Sequence, residues 1–411
     1  MSAPVHTPMH QFPVAHGELL VGGIPLTRLA ARVGAGVPFY AYDRRLLDAR
    51  VATLRQVLPR EVRLHYALKA NPMPALACHM APLVDGMDVA SGRELRVALD
   101  AGVAAAEISF AGPGKSEAEL LQAVAAGILV NVESLRELPL LATASRTLGL
   151  PARVALRVNP DFELKSSGMK MGGGPKQFGI DAERVPEALA EVCRLDLAFE
   201  GFHIFSGSQN LRAESICEAQ RNAVDLALRL ASGAGLPLRR LNVGGGFGIP
   251  YFPGETPLDL APIGENLGSL VQRLKTEAPG CELTVELGRY LVGEAGIYVC
   301  RILDRKISRG QVFLVADGGL HHHLAASGNF GQVIRKNYPV TIGNRLAPDT
   351  PRETASVVGP LCTPLDLLAD RMDLPAARPG DLVVVFQSGA YGPSASPQAF
   401  LSHSAPVEVL L

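Results

Sequence analysis

Short apolar runs alternate with helical patterns along residues 42–288. In the first of these units the residues at positions 62, 64, 66 and 68 are apolar, and an Ala- and Leu-rich segment follows at 73–82. Repeated strand-then-helix units predict a parallel sheet, because the chain must cross over before each new strand can pair in the same direction. Eight such runs occur, at residues 64–68, 86–90, 108–110, 129–132, 154–160, 202–205, 241–243 and 283–286.

Polar or glycine residues stand just after nearly every predicted strand. These residues are Lys69, Asp88, Gly112, Asn131, Asn159, Ser206, Gly244 and Glu286. A (β/α)8 barrel builds its active site from the carboxyl ends of all its strands, whereas an open doubly wound sheet concentrates its ligand groups at one switch point. The spread over so many strands predicts a TIM-like (β/α)8 barrel. Ser116 to Glu119 matches a capping box at the start of one of its helices.

After Gly288 the pattern changes to β runs separated by turns, which predicts a second, mostly β domain. These runs lie at residues 298–302, 312–317, 339–342, 355–359 and 382–386. The apolar run at 19–21 is expected to join this domain. We therefore predict an N-terminal segment at 1–37 joining the β domain, a barrel at 38–290 and a C-terminal β domain at 291–411. The connection at 161–179 is long and rich in Gly, Lys and Met, which is typical of a functional lid.

Composition narrows the class of protein. The chain has 411 residues, 47% of them hydrophobic and 19% charged, which indicates a globular protein of more than one domain. Its 39 basic and 40 acidic residues give a net charge of -1, which does not favour a nucleic-acid or membrane-surface partner. The N-terminus has no signal-peptide pattern and the six cysteines show no paired spacing. We expect reduced thiols and a cytoplasmic location.

The segment His65-Tyr66-Ala67-Leu68-Lys69-Ala70-Asn71-Pro72 places one lysine at the end of an apolar strand. We expect burial of the Lys69 amine to disfavour its charged form and leave a nucleophile able to form a Schiff base. An ordinary strand-end lysine that reaches solvent is the alternative, and for an isolated lysine it is the favoured one.

Three later motifs offer groups for a cofactor. The glycine loop at 242–248 could bind phosphate with its backbone N–H groups, but its spacing does not fit a dinucleotide or triphosphate loop, and a bare tight turn is as good an interpretation. Glu286 could pair with a protonated pyridine nitrogen, and Gly288 with Arg289 could bind phosphate. His203 could stack on a planar ring beside Ser206. A solvated Glu/Arg pair and a core histidine are the respective alternatives.

Together the motifs HYALKANP, GMDVAS, FHIFSGSQ, NVGGGFG, VELGRY, GPLC and SGAYG resemble those of fold-type III pyridoxal-phosphate decarboxylases, in the same order. That family includes ornithine, arginine and diaminopimelate decarboxylases. The resemblance covers residues from about Pro38 to Pro397. The segments DFELKSSGMKMGGGPKQFGI and DGGLHHHLAASGNFGQVIR are similar to the branch of exosortase A system-associated decarboxylases.

The resemblance implies pyridoxal 5'-phosphate as cofactor and a role for each matching residue. Lys69 would form the Schiff base and Cys362, reaching into the neighbouring subunit's site, would be the proton donor. His203 would stack on the ring and Glu286 would pair with its nitrogen. The remaining implied contacts are Ser206, Gly246, Gly288, Arg289 and Tyr391 for the phosphate, with Asp88 and Arg157 supporting the ring.

One departure concerns the substrate. Ornithine and diaminopimelate decarboxylases carry an acidic residue directly after the GPxC cysteine, and this chain has Thr363 there. Without that carboxylate a distal ammonium loses its natural partner, although Asp317 could still serve it. The implied substrate contacts are Asp317, Cys362, Thr363 and Tyr391. Lys165, Lys170 and Lys176 of the lid could receive an anionic or carrier-bound substrate, or could simply be solvated.

We therefore predict a pyridoxal-phosphate-dependent amino acid decarboxylase, a homodimer with shared active sites. Its predicted substrate is an amino acid or an amino-acid-derived molecule, free or carrier-bound. Diaminopimelate decarboxylase making lysine and a non-catalytic binding protein on the same fold are the alternatives. His321-His322-His323 invites a metal interpretation, but only His321 and His323 would share a strand face, so we predict no metal site.

Overall fold

The structure is a computed structural model that describes residues 5–34, 38–162, 169–170, 172–330, 332 and 335–411, without the side chains of 169 and 170. The chain forms two compact units. The first combines residues 1–49, 250–256 and 292–411, and the second combines residues 50–249 and 257–291. No helix among the described residues is long and apolar enough to cross a membrane.

The N-terminal part begins with a small antiparallel sheet in which the second strand pairs with the other two. A helix, a fourth strand and a second helix follow. The elements are β1 (Val14–Ala15), β2 (Glu18–Val21), β3 (Ile24–Pro25), α1 (Leu26–Val33), β4 (Phe39–Tyr42) and α2 (Arg44–Val57).

The second unit contains a closed barrel of eight parallel strands. The strands of this region are β5 (Val62–Ala67), β6 (Gly86–Val89), β7 (Ile108–Phe110), β8 (Leu129–Val132), β9 (Arg153–Asn159), β10 (Met169–Lys170), β11 (Ile180–Asp181), β12 (Ala198–His203), β13 (Gly207–Ser208), β14 (Arg240–Gly245) and β15 (Glu282–Leu287). Pairing of β15 with β5 closes the ring. The short β11 extends the sheet beside β9, and β10 pairs with β13 outside the barrel.

Helices follow the barrel strands, as the sequence pattern predicts. They are α3 (Pro74–Met80), α4 (Gly92–Asp100), α5 (Glu117–Ala126), α6 (Glu137–Leu148), α7 (Val185–Arg194), α8 (Ala213–Ala234), α9 (Ala261–Glu277) and α10 (Arg289–Val292). The expected capping box is present: Ser116 caps α5, and the Glu119 side chain accepts from the Ser116 backbone N–H. In α7 the buried residues Val185, Ala188, Leu189 and Val192 recur at helical spacing, so one face of this helix packs inward.

The first unit is mostly β. After the barrel come β16 (Gly296–Ser308), β17 (Gln311–Ala316), β18 (Val340–Ile342), β19 (Arg352–Val358), β20 (Leu367–Pro375), β21 (Leu382–Val385) and β22 (Val407–Leu410), paired in the order β18-β21-β16-β17-β19-β20. Leu19 and Val21 of β2 share one core cluster with Val299 and Val384. The predicted fold class, a barrel with a separate mostly β domain, is confirmed.

The predicted boundary at residue 38 is wrong. Strand β4 pairs with β16 and β22, so its residues belong to the β-rich unit, which extends to Ala49. The segment Phe39–Tyr42 is fully apolar and buried, and such a run does not reveal which sheet it will join. Residues 250–256 also belong to this unit rather than to the barrel unit.

Candidate active site

Three predicted side chains meet at the carboxyl edge of the barrel. Lys69 lies in a single turn of 3-10 helix, Leu68–Ala70, directly after β5, and Glu286 lies near the end of the neighbouring strand β15. The Lys69 Nζ donates to Glu286 Oε1 at 3.2 Å. His203 ends β12, and its Nε2 lies 3.2 Å from Glu286 Oε2. One carboxylate therefore contacts both an amine and an imidazole.

The charge of Glu286 is stabilised despite its burial. Burial raises the pKa of this carboxyl, but the Lys69 charge and the contacts to His203 and Lys69 outweigh it and hold the pKa well below its ordinary value. Glu286 is therefore an anion at neutral pH. An ionised carboxylate at the base of a pocket can hold a heterocyclic nitrogen in its protonated form.

The expectation of a desolvated Lys69 is wrong. The strand ends at Ala67, and the lysine side chain is 45% exposed, while the Glu286 side chain beneath it is only 4% exposed. The 3-10 turn lifts the side chain out of the apolar row, because it breaks the strict in-out alternation of the strand. The amine is thus held by an ion pair and the face of Phe205, 5.6 Å away, rather than by an apolar wall.

The His203 ring is buried, yet neither ring nitrogen makes a hydrogen bond of acceptable geometry to the described residues. Its contact to Glu286 is close in distance only. A buried imidazole without directed partners costs free energy, about 1–3 kcal/mol for an unsatisfied group. This arrangement fits a residue that acts by packing its ring face against a planar ligand.

The predicted phosphate-binding residues lie in neighbouring loops of the same edge. Ser206 is buried after β12, and Gly246 follows β14 with a φ of 73°, where a side chain would be strained and a Cβ would collide with the Gly207 carbonyl oxygen. Gly288 and Arg289 follow β15 and are partly buried. Bare backbone, a hydroxyl and a cationic residue at the same edge of the barrel are suited to a phosphate group.

Asp88 and Arg157 lie on strands β6 and β9 of the barrel and make polar contacts there. Asp88 accepts a hydrogen bond from the Ser109 hydroxyl and lies 3.3 Å from His65 Nδ1. Arg157 donates from Nη1 to Glu133 at 2.7 Å, and its guanidinium lies 5.0 Å from the Phe178 ring centre. Their predicted roles in supporting a cofactor stay predictions.

The predicted residues Asp317, Cys362, Thr363 and Tyr391 belong to the β-rich unit. Cys362 is exposed, and Thr363 Oγ1 accepts from the Leu365 backbone N–H at 3.3 Å. Asp317 accepts from the Arg301 backbone N–H at 2.7 Å, and burial raises the pKa of its carboxyl. The Tyr391 ring lies 6.2 Å from the Phe330 ring.

Two further predictions concern the lysines of the predicted lid and the three consecutive histidines. Lys165 and the side chain of Lys170 lie outside the described residues, while Lys176 is partly buried. The histidines at 321–323 are buried in turns rather than in a strand, and the described part of the chain holds no cluster of His, Cys, Asp or Glu that could bind a metal ion.

Sequence reasoning missed a buried ionic group behind the site. Lys115 pairs with Glu137 at 3.1 Å, both side chains being only 1% exposed, and Glu133 pairs with Arg157. Glu133 also accepts from the backbone N–H groups of Gly112 and Gly179. The only signal in the sequence was the position of Glu133 just after the strand at 129–132; the lysine and the second glutamate resemble ordinary helix-start charges.

An amine that can condense with an aldehyde, opposed by a buried anion and flanked by a free imidazole face, is the donor set of a pyridoxal-phosphate enzyme on a (β/α)8 barrel. Residues 44–293 match the family model for pyridoxal-dependent decarboxylase, pyridoxal binding domain. The chain therefore belongs to the pyridoxal-dependent decarboxylases of fold type III. The narrower exosortase-associated branch stays a prediction.

Known relatives agree over most of their length. The chain is 40% identical to the L-glutamyl-(BtrI acyl-carrier protein) decarboxylase of Niallia circulans, over 91% of this chain and 88% of that protein. It is 32% identical to the diaminopimelate decarboxylase of Aquifex aeolicus, over 92% and 86%. The crystal structure of diaminopimelate decarboxylase from Helicobacter pylori complexed with L-lysine superposes with a TM-score of 0.82 at 28% identity, covering 94% of both chains.

The chain is thus a carboxy-lyase with pyridoxal 5'-phosphate as its cofactor. A non-catalytic binding protein, one of the alternatives, is not supported, since its relatives are decarboxylases. The described residues fit the cofactor: Lys69 would supply the amine, Glu286 the anion, His203 a ring to stack on the cofactor and Gly246 the bare backbone. When bound, the cofactor accepts the electron pair released as CO₂ leaves. The protein's part is to hold the ring nitrogen protonated, orient the ring and return a proton.

Proposed function

We propose that the substrate of this decarboxylase is an α-amino acid such as glutamate whose side-chain carboxyl is joined to an acyl carrier protein, so that its α-amino and α-carboxyl groups stay free for the reaction. Substrates of this reaction class differ in the chemical group at the end that lies far from the α-carbon. A distal ammonium needs a carboxylate to replace its lost hydration, and a carrier-bound acyl group does not.

The observation that carries the proposal is the absence of a free carboxylate in the described loop at 359–366. Thr363 stands after Cys362, and the loop's one acid, Asp366, is only 2% exposed. Asp366 Oδ1 accepts from the Leu320 N–H at 2.6 Å and Oδ2 accepts from the Leu361 N–H at 2.8 Å. Both oxygens are therefore used inside the protein, and neither is available to a distal ammonium.

Asp317 is a poor replacement. One oxygen is engaged by the Arg301 backbone N–H, and burial raises the pKa of its carboxyl. The relative that acts on a carrier-bound glutamyl group is 40% identical to this chain, against 32% for the diaminopimelate decarboxylase. Both facts support a carrier-bound substrate over diaminopimelate, which is the alternative that is not favoured.

The test compares CO₂ release from L-glutamyl-acyl carrier protein, free L-glutamate, diaminopimelate and L-ornithine. We expect turnover of the carrier-bound substrate, seen by mass spectrometry as loss of one CO₂ from the loaded carrier. A higher kcat/KM for diaminopimelate than for the loaded carrier protein would overturn the proposal.

A variant pair sharpens this test. Thr363→Asp restores a carboxylate and should gain activity on diaminopimelate or ornithine, while losing activity on the loaded carrier protein, whose neutral acyl end gives the new charge no partner. Thr363→Val has the same size, lacks both the hydroxyl and the charge, and serves as the control for loss of the contact to Leu365. Gain of diamino acid activity by both variants would show that the charge is not the cause.

We also propose that the enzyme is a homodimer whose sites are shared between subunits. Cys362 is exposed. Leu365, close to it in the sequence, is 59% exposed, and Phe330, whose ring lies beside that of Tyr391, is 41% exposed. An exposed thiol and exposed apolar residues in the same unit support burial of this surface against a second copy of this chain.

A further inference from the structure

A chain of buried polar side chains crosses four consecutive barrel strands. It consists of His65 on β5, Asp88 on β6, Ser109 on β7 and Asn131 on β8, all of them buried. Asp88 pairs directly with Ser109 in the strand register. Asn131 Nδ2 donates to Ser109 Oγ at 3.0 Å, and the Ser109 hydroxyl donates to Asp88 Oδ1.

The two carboxylate oxygens of Asp88 differ in their hydrogen-bond partners. Oδ1 receives the Ser109 hydroxyl and lies 3.3 Å from His65 Nδ1, whereas the buried Oδ2 has no hydrogen-bond partner among the described residues. Buried carboxylate oxygens normally accept a hydrogen bond, because burial without one costs the free energy of the lost hydration. An oxygen that the polypeptide leaves unpaired in this way is suited to a donor on a ligand.

The backbone of strand β6 leaves space for the His65 ring. His65 lies opposite Gly86 in the register of β5 and β6, and a Cβ at residue 86 would come within 2.5 Å of His65 Nε2. Only glycine leaves room for this ring. Neither His65 nor Gly86 is among the residues that the sequence motifs suggested for the cofactor.

Charged groups around His65 favour its protonated form on balance. Burial lowers the pKa of His65, but the charge and hydrogen bond of Asp88 and the charge of Glu107 outweigh burial and the opposing Arg63, so the pKa lies above its ordinary value.

We propose that His65 is a positioning residue for the cofactor. It holds Asp88 through Oδ1, together with Ser109, and so leaves Oδ2 to accept a hydrogen bond from bound pyridoxal phosphate. His65 itself does not touch the reacting atoms. Its removal should therefore weaken cofactor binding and alter the cofactor's spectrum, while the substrate preference stays the same.

The test measures pyridoxal-phosphate binding to the apoprotein by equilibrium dialysis, the pH titration of the bound cofactor's visible absorbance, and the Tm of the apoprotein. For His65→Phe we expect Kd to rise about tenfold to a hundredfold, the range that loss of one hydrogen bond to a charged group produces. The absorbance titration should shift as well. His65→Asn should recover part of the affinity, because its amide can donate to the same oxygen.

Leu189→Ala is the matched control. Leu189 is a buried residue of α7 outside the polar chain, so its truncation lowers Tm without touching Asp88. Wild-type Kd and absorbance titration in His65→Phe, or changes no larger than those of Leu189→Ala at equal loss of Tm, would overturn the proposal. Where His65→Phe does not fold, His65→Asn and Ser109→Ala decide by the same two measurements, since each weakens the hold on Oδ1.

Discussion

At the scale of single residues, the site depends on one buried carboxylate shared by two bases. Glu286 sits between the Lys69 amine and the His203 ring, each 3.2 Å away. Burial raises the pKa of its carboxyl, and its two neighbours more than offset this and keep it charged. A buried anion suited to the cofactor's ring nitrogen is therefore in place before the cofactor binds.

We expect Glu286→Gln to lower kcat about 10²- to 10³-fold, the typical effect of removing one preorganised electrostatic contact in an active site. An amide cannot hold the ring nitrogen protonated, so the electron-accepting power of the cofactor falls. Single-turnover measurement of CO₂ release checks this.

Glu282→Gln is the control for the loss of a glutamate from the same strand, because Glu282 starts β15 and its side chain is 46% exposed. It should keep wild-type kcat. Equal activity of Glu286→Gln and the wild-type enzyme would remove Glu286 from the mechanism.

At the scale of elements, buried ion pairs connect the loops that follow β7, β8 and β9. Lys115 donates to the Gly112 and Asn131 carbonyl oxygens and pairs with Glu137. Glu133 ties Arg157 to the backbone of Gly112 and Gly179. Loops are normally the mobile part of a barrel, and these contacts hold three of them in one arrangement.

We expect Lys115→Met to destabilise the protein by about 3–5 kcal/mol, because it leaves the Glu137 carboxylate buried without its partner. The double variant Lys115→Met/Glu137→Leu should recover much of that loss, since no unpaired charge remains. Urea denaturation of the apoprotein measures both.

Arg184→Met tests whether any ion pair has this effect. Arg184 and Glu187 are 58% and 59% exposed, so breaking their pair should cost less than about 1 kcal/mol. If Lys115→Met costs no more than Arg184→Met, the buried pair does not stabilise the loops.

At the scale of the whole molecule, the β-rich unit carries a set of neutral, buried histidines. Burial lowers the pKa of His323 to about 3, and burial with the nearby His322 and His403 lowers the pKa of His321 to about 3. The unfolded chain binds protons at these positions below its ordinary histidine pKa, while the folded chain does not. Their contribution to stability is therefore complete above about pH 6.5 and is lost as the pH falls towards 3.

Stability should thus fall between about pH 7 and about pH 5.5, before most carboxylates titrate, at up to about 1.4 kcal/mol per pH unit for each histidine. His323→Gln should flatten this slope, because glutamine does not titrate. The exposed His10→Gln should leave the slope unchanged. Urea denaturation at several pH values measures it, and an identical slope in His323→Gln would contradict the explanation.

The proposed shared sites can be tested by mixing two inactive homodimers, Lys69→Ala and Cys362→Ala. Random exchange of subunits in a two-fold dimer makes about half of the dimers mixed, each with one intact site, so about a quarter of wild-type activity should return. Each variant alone is the control. No recovery after verified exchange would mean that Lys69 and Cys362 serve the same site from one subunit.

Much of the architecture was predictable from local pattern. The eight barrel strands, the Ser116 capping box and the change to β texture after Gly288 all follow from periodicities and turn residues within short windows. Strand β4 did not follow, because its four buried residues fit either sheet, and only pairing with β16 and β22 assigns them. Pairing between distant segments leaves no local signal.

Some features of the candidate site were likewise predictable from the sequence, and others required the structure. Motif order alone identified the family and named Lys69, His203 and Glu286, since each chemistry needs a particular residue type at a strand end. The exposure of Lys69, the buried pair of Lys115 with Glu137 and the contact of His65 with Asp88 required the folded chain. In each case the contacting residues lie 20 or more positions apart in the sequence. Burial and charge pairing are determined by such spatial neighbours and not by the residue itself.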